Sequence, residues 1–280
     1  MKRENRAPDF GDGRALVTGA TGVLGTAFCF ALAERGENLY ITGRSGSRLE
    51  ALKTQLTAQY PSIKVDFCAC DLADDASVNR LFSEAEKYKI HSLYNVAGAD
   101  IQQPFCEYGS RQITFQIRST FEGAARITDF AIKHRAEKLK VLNVSSVCGI
   151  LPMPYFALYS ASKGALTSFS VALAKEMKGT GVKVQVVLPG AIYTRDDVKE
   201  YIKTQGVWGR LAAKQPEWVV KKCLALQNKR KVKTVLGFCN KVTCFFNKLL
   251  PESRRTGFVA RRWKKTRKNA FFTEENNEQS

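Results

Sequence analysis

The sequence predicts an α/β protein with a doubly wound sheet, and three observations carry that expectation. Runs rich in Val, Leu and Ile alternate with helical patterns along most of the 280 residues. Strands of this kind joined by helices form parallel sheets covered on both faces. The first strand-like run ends in a glycine-spaced turn, Thr18-Gly19-Ala20-Thr21-Gly22-Val23-Leu24-Gly25. Tyr159 and Lys163 stand one helical turn apart in Tyr159-Ser160-Ala161-Ser162-Lys163, downstream of Ser146 at the end of an apolar run. In such a fold ligands bind outside the carboxyl ends of the strands.

The elements follow in order. Residues 15–18 read as a strand, followed by the glycine turn and a helix to about residue 35, closed by Gly36 as a C′ glycine. A strand is expected at 38–42 and a helix at 49–60, stopped by Pro61. A strand at 64–70, a helix at 76–88 and a strand at 92–96 come next. A long helical stretch at about 112–134 leads to a strand at 140–144, a helix at about 157–177 and a strand at 182–188. After Pro189-Gly190 the pattern loosens, with helices expected near 196–205 and 216–226 and a last strand at 233–236. Residues 241–272 interleave Phe245, Phe246, Leu249, Leu250, Phe258, Val259, Trp263, Phe271 and Phe272 with ten basic residues and one acidic. Residues 274–280 are polar and read as disordered. The organisation is an N-terminal extension at 1–11, one domain at 12–240 and a basic, aromatic-rich tail at 241–280.

Composition narrows the class. Lys and Arg number 44 against 26 Asp and Glu, a net charge of +18. Residues 195–280 hold 21 basic and 8 acidic side chains, about +13 of that total. Such a segment suits an anionic partner, whether lipid headgroups, nucleic acid or an acidic substrate, or is a solvated tail. The eight cysteines include no Cys-x-x-Cys pair, and several (Cys29, Cys68, Cys70) lie in apolar runs. They read as reduced thiols of a cytoplasmic chain. His91 and His134 are the only histidines and have no ligand spacing, so no metal is expected. No signal peptide is visible, and no apolar run approaches the roughly 20 residues that span a bilayer.

The glycine turn is suited to a dinucleotide. Gly19, Gly22 and Gly25 would let the backbone approach a pyrophosphate, and the following helix N-terminus offers free N–H groups. At the end of the second strand, where an acid commonly binds the ribose hydroxyls, stand Gly43 and Arg44. Arg44 can clamp a 2′-phosphate that an acid would repel, which favours NADP(H) over NAD(H). A lysine ammonium beside a tyrosine lowers the phenol's pKa from ~10. Tyr159 could then serve as general acid for a carbonyl or general base for an alcohol, with Ser146 stabilising charge on the substrate oxygen.

At these residues the chain resembles a short-chain dehydrogenase/reductase of the single-domain type, over about residues 12–240. The resemblance implies a Rossmann-like sheet of about seven parallel strands, assembly as a homodimer or homotetramer, and catalysis by Ser146, Tyr159 and Lys163. It places Asp71 of Cys70-Asp71-Leu72 near the adenine and matches Asn95-Val96-Ala97-Gly98 to the family's Asn-Asn-Ala-Gly run. Asn95, Ala97 and Gly98 would steady the sheet and line the cofactor. Pro189-Gly190-Ala191-Ile192-Tyr193-Thr194 matches its Pro-Gly-x-x-x-Thr turn, in which Thr194 would meet the nicotinamide carboxamide, while Lys163 would also grip the nicotinamide ribose. Two departures stand out. The middle glycine of the first turn comes one position early, as in the family's extended branch. Gln116, in Gln116-Ile117-Arg118-Ser119-Thr120-Phe121, stands where many members carry an active-site Asn.

Substrate contacts are expected from Gly149-Ile150-Leu151-Pro152-Met153-Pro154-Tyr155-Phe156 and from Tyr201, Ile202, Val207 and Trp208. These apolar segments suit an oxoacyl chain, a steroid or another hydrophobic carbonyl, or else they pack a lid on the sheet. The basic, aromatic tail suggests peripheral docking on anionic lipid. The segment from Pro216-Glu217 to Pro251 is similar to oxoacyl reductases and hydroxysteroid dehydrogenases. The function expected is NADP(H)-dependent interconversion of a ketone and a secondary alcohol. The alternatives are a dinucleotide sensor on the same fold and a membrane- or nucleic-acid-binding protein.

Overall fold

Strands rich in Val, Leu and Ile bury both faces only if helices cover both, and this requirement sets the architecture. The computed structural model describes residues 12–194 and 210–263. The strands are β1 (Arg14–Thr18), β2 (Leu39–Gly43), β3 (Val65–Ala69), β4 (Ile90–Asn95), β5 (Arg135–Val144), β6 (Val182–Leu188) and β7 (Lys233–Val235). They form one sheet in the order β3-β2-β1-β4-β5-β6-β7, every pairing parallel. The order reverses between β1 and β4, and the crevice outside their carboxyl ends is where this topology receives a ligand.

The helices are α1 (Val23–Ala33), α2 (Gly46–Gln59), α3 (Asp75–Ala85), α4 (Ser110–Ile117), α5 (Gly123–Lys133), α6 (Ala157–Glu176), α7 (Pro216–Leu226), α8 (Phe238–Leu249) and α9 (Glu252–Trp263). Alternate strand residues feed two cores. Val17, Ile41, Leu142 and Val187 pack with α1, α2 and α7, while Leu16, Tyr40, Val141 and Val184 pack with α3, α5 and α6.

Several elements differ from expectation for identifiable reasons. Helix α2 begins three residues early because Ser45 caps it, accepting the Arg48 N–H at 3.4 Å. Strand β5 begins at Arg135, where a charged run pairs with Ile90 across a register irregularity. The expected single helix over 112–134 is interrupted by a wide π turn at Arg118–Glu122. The boundary expected after residue 240 falls inside α8. The helix expected at 196–205, the residues Tyr201, Ile202, Val207 and Trp208, the N-terminal extension and residues 264–280 lie outside the described residues.

Buried polar groups tie the elements that carry the site. The Asn95 amide donates to Asn143 Oδ1 at 2.8 Å, Thr128 Oγ1 at 3.1 Å and the Ala124 carbonyl at 3.3 Å. Asn143 in turn donates to Ser170 Oγ at 2.8 Å. β4, β5, α5 and α6 are thereby cross-linked beneath the crevice. Thr18 Oγ1 accepts the Val96 and Ala97 N–H groups at 3.1 and 3.2 Å, fixing the end of β1 to the turn after β4.

Candidate active site

The glycine turn closes tightly. Gly19 has φ +64°, and a Cβ there would lie 2.8 Å from Ala97 Cα. A Cβ at Gly25 would overlap the Gly19 carbonyl oxygen. These residues therefore bring bare backbone to the start of α1, where N–H groups and the positive dipole end face the crevice. This geometry fits a pyrophosphate.

A cavity of about 880 Å³ runs along the carboxyl ends of the strands. Gly19, Thr21, Gly22, Leu24 and Gly25 line it on one side, with Arg44 after β2 and Asp71 and Leu72 after β3. Ala97 and Gly98 follow β4, and Pro189, Gly190, Ile192 and Thr194 follow β6. Ser146, Tyr159 and Lys163 share the same wall. Asn95 lies off it, buried in the sheet by the amide bonds described above.

The cationic groups at the cofactor end are positioned by neighbours. The Arg44 guanidinium lies 5.3 Å from the Phe115 ring centroid. Arg48, part of the same wall, donates to the Thr21 carbonyl at 3.0 Å and so braces the glycine turn. Asp71 Oδ1 accepts the Ala73 N–H at 2.9 Å, shaping the turn after β3. The donor set of backbone N–H groups and an arginine fits a phosphorylated dinucleotide.

At the other end, Ser146 ends β5's extension and its Oγ accepts the Cys148 N–H at 3.2 Å. Tyr159 and Lys163 project from the first turns of α6. Lys163 is buried; its Nζ donates to the Val144 carbonyl at 2.8 Å and lies 5.9 Å from the Tyr159 ring centroid. Burial pulls the Lys163 ammonium down to about 8, against upward influences of Asp100 and Cys148. Burial, followed by the charges of Cys148 and Asp100, raises the Tyr159 phenol above its usual range, and a hydrogen bond with Ser146 opposes this. The lowering expected from Lys163 is not among these influences, and desolvation of the phenolate is the largest of them.

Gln116 is fully buried and lies off the cavity wall. Its amide donates to the Ala99 carbonyl at 2.8 Å and to Thr120 Oγ1 at 3.1 Å, and its Oε1 accepts the Ile101 N–H at 3.2 Å. It shapes the segment after β4. The apolar loop contributes Leu151, Pro152, Met153 and Phe156 to the cavity, and Tyr155 within it takes φ +64°, a strained value for a non-glycine residue.

Sequence reasoning missed part of the wall. Asn240, Thr243 and Asn247 of α8 and Arg255, Phe258 and Val259 of α9 line the cavity. Their spacing, i, i+3, i+7 on α8 and i, i+3, i+4 on α9, marks one face of each helix and was the available signal. Asp100, Phe115 and Ser119 also line it and carry no motif.

Comparison with known proteins agrees with this geometry. Residues 14–204 match the family model described as short chain dehydrogenase. A very-long-chain 3-oxoacyl-CoA reductase of Aspergillus terreus is 30% identical over 179 residues, covering 62% of this chain and 51% of the relative. The reductase of the same name from Pyrenophora tritici-repentis is 34% identical over 180 residues, covering 62% and 53%. The chain thus spans about half the length of the curated relatives it matches. Among solved structures, one reported for 7beta-hydroxysteroid dehydrogenase stereoselectivity superposes with TM-score 0.79 at 22% identity, covering 89% of this chain and 96% of that one. A short-chain dehydrogenase from Sphingobium yanoikuyae in complex with NADPH gives 0.71 at 21% identity, covering 94% and 99%.

Proposed function

The chain belongs to the short-chain dehydrogenase family, and on that premise we propose that it is an NADP(H)-dependent oxidoreductase that interconverts a ketone and a secondary alcohol on a hydrophobic substrate. The observation that carries this reading is that Ser146, Tyr159 and Lys163 line the same cavity as the glycine turn and Arg44. Gly19, Thr21, Gly22, Leu24, Gly25 and Arg44 would hold the adenine-side phosphates, with Asp71 and Leu72 beside the base. Ala97, Gly98, Pro189, Gly190, Ile192 and Thr194 would hold the nicotinamide end, and Lys163 its ribose. When bound, the cofactor supplies or accepts the hydride.

In reduction, Ser146 donates a hydrogen bond to the substrate carbonyl oxygen and stabilises the negative charge that develops there. Tyr159 gives its phenolic proton to that oxygen, which becomes the hydroxyl of the alcohol. The Lys163 ammonium favours the phenolate left behind. The walls from Leu151, Pro152, Met153 and Phe156 support an apolar substrate. An oxoacyl thioester or a ketosteroid meets that description, and the relatives named as 3-oxoacyl-CoA reductases favour the first.

A peripheral lipid contact forms part of the proposal. No helix among the described residues is long and apolar enough to cross a membrane. Phe245, Phe246, Leu249 and Phe258 are exposed on α8 and α9, in a segment dense in Lys and Arg. Sedimentation with anionic against neutral vesicles tests this. The eight cysteines are thiols, which supports a cytoplasmic chain. Assembly as a dimer or tetramer is supported by exposed Ile117 and Val171, on the packed pair α4 and α6, and is read by sedimentation velocity.

The central test follows NADPH absorbance over a carbonyl panel of oxoacyl thioesters and ketosteroids. Tyr159→Phe is expected to lose about 10²–10⁴-fold in turnover. NADPH affinity should stay close to wild type. A variant that reduces the panel as fast as wild type rules out the proton-transfer role.

A further inference from the structure

The cationic side chains of the cavity differ in how their donors are used. Arg48 spends a donor on the Thr21 carbonyl, Lys163 on the Val144 carbonyl, and Arg44 lies against the Phe115 ring. Arg255 has no such role. Its Nε is buried and has no hydrogen-bond partner among the described residues. Its one ion pair there is a 3.9 Å approach of Nη2 to Glu252, one turn back on the same helix and largely exposed. That distance is too long for a hydrogen bond. The Nε–Nη2 edge of a guanidinium is a ready-made fork for carboxylate or phosphate. Leaving a buried charged donor without a partner costs more than leaving a neutral one, so an anion at this edge would be strongly favoured.

The surroundings say where that anion would belong. Arg255 lines the cavity together with Phe258 and Val259 on α9 and Asn247 on α8. Helix α8 packs towards the loop that follows Ser146, since Cys244 is close enough to Cys148 to influence its thiol. Its Asn240 amide donates to the Leu236 carbonyl at 2.8 Å and the Ala212 carbonyl at 3.3 Å, anchoring the helix beside Gly190. Helix α8 thus borders the cavity beside Gly190 and Cys148, and Arg255 on α9 lines that same cavity.

We infer that Arg255 is the recognition residue for an anionic group, carboxylate or phosphate, carried by the substrate. This rests on the reading of the cavity as a carbonyl reductase site and narrows its substrate class. The ligand is a hydrophobic carbonyl compound with an acidic end; a neutral ketosteroid leaves Arg255 without its partner.

The test compares ligands that share one acyl chain and differ in charge. These are a long-chain acyl-coenzyme A (phosphate), a long-chain dicarboxylic acid monothioester of N-acetylcysteamine (carboxylate) and the uncharged N-acetylcysteamine thioester. Binding to the full chain with NADPH present is measured by calorimetry for wild type, Arg255→Gln and Arg255→Lys, so the readout does not depend on turnover. Arg255→Gln is expected to lower the affinity ratio of at least one anionic ligand to the neutral one by about 10–100-fold, with partial recovery in Arg255→Lys. The ligand whose ratio falls identifies phosphate or carboxylate. An unchanged ratio for both anionic ligands overturns the inference. So does a tenfold loss of NADPH affinity without a change in ratio, which would assign Arg255 to the cofactor. If the ratio falls while wild type reduces no carbonyl in the panel, the anion site stands and the reductase reading falls.

Discussion

Burying Lys163 should make a functional residue costly to the fold, and the cost should depend on pH. Its ammonium is lowered from 10.5 to about 8 by burial, while the unfolded chain keeps the ordinary value. Between these two values the unfolded chain binds more protons than the folded one. Stability should therefore rise with pH across that window, and the full cost applies below pH 8. At about 1.4 kcal/mol for each pH unit, the ammonium costs about 3 kcal/mol at pH 7. Lys163→Met removes the charge but leaves the Val144 carbonyl without its donor. The absolute change at one pH therefore mixes two effects, and its pH dependence isolates the first. Urea unfolding of both proteins at pH 7 and pH 10.5 should show the stability difference moving by about 3 kcal/mol in favour of wild type at the higher pH. A difference that stays constant to within about 0.5 kcal/mol would refute the idea that Lys163 is buried as a strained ammonium.

Further outcomes are expected elsewhere. Arg44→Asp should move cofactor preference towards NADH by about tenfold or more, measured as the ratio of kcat/KM values; an unmoved ratio removes Arg44 from the 2′-phosphate. Glu37 is buried and raised to about 7, chiefly by burial, and lies 3.9 Å from His91, which burial lowers to about 4. At neutral pH this is no ion pair, because His91 is uncharged. A raised carboxyl loses its stabilising protonation as pH climbs, so Glu37→Gln should gain on wild type by about 3 kcal/mol between pH 4.5 and pH 8. Equal pH profiles in thermal unfolding would contradict that. Gly25→Ala, whose Cβ would overlap the Gly19 carbonyl, should cost about 1–3 kcal/mol and abolish NADPH binding by fluorescence titration.

What the sequence made legible follows from how local each signal was. β6 at Val182–Leu188 and α7 at Pro216–Leu226 match expectation because glycine and proline bound them directly. Of the residues expected to catalyse or to hold the cofactor, all but Asn95 reach one cavity, because each sits at a strand's carboxyl end, in the turn or first helical turn that follows it, or on the first turns of α6, positions the topology brings together. Asn95 is the exception: the motif fixed its strand position, and only the tertiary contacts with Asn143 and Thr128 decide which way it faces. The π turn at Arg118–Glu122 had no periodicity signal, since its widening is one residue within a continuous helical pattern. Helices α8 and α9 were hidden by composition. Their basic and aromatic residues read as an appendage, and only three-dimensional proximity puts one face of each against the cavity.

The amide chain from Asn95 through Asn143 to Ser170 also has a bearing on folding fidelity. Asn95 and Asn143 are register partners across β4 and β5. Sliding β5 by one position would put Leu142 opposite Asn95 and turn Asn143 to the far side of the sheet. Two buried amides and a hydroxyl would then lose their mates, at about 1–3 kcal/mol each. Aliphatic neighbours tolerate such a slip far better, because Val, Leu and Ile replace one another at little energetic loss. The polar chain therefore acts as a proofreader of strand alignment, penalising near-native misfolds that hydrophobic packing alone would let pass.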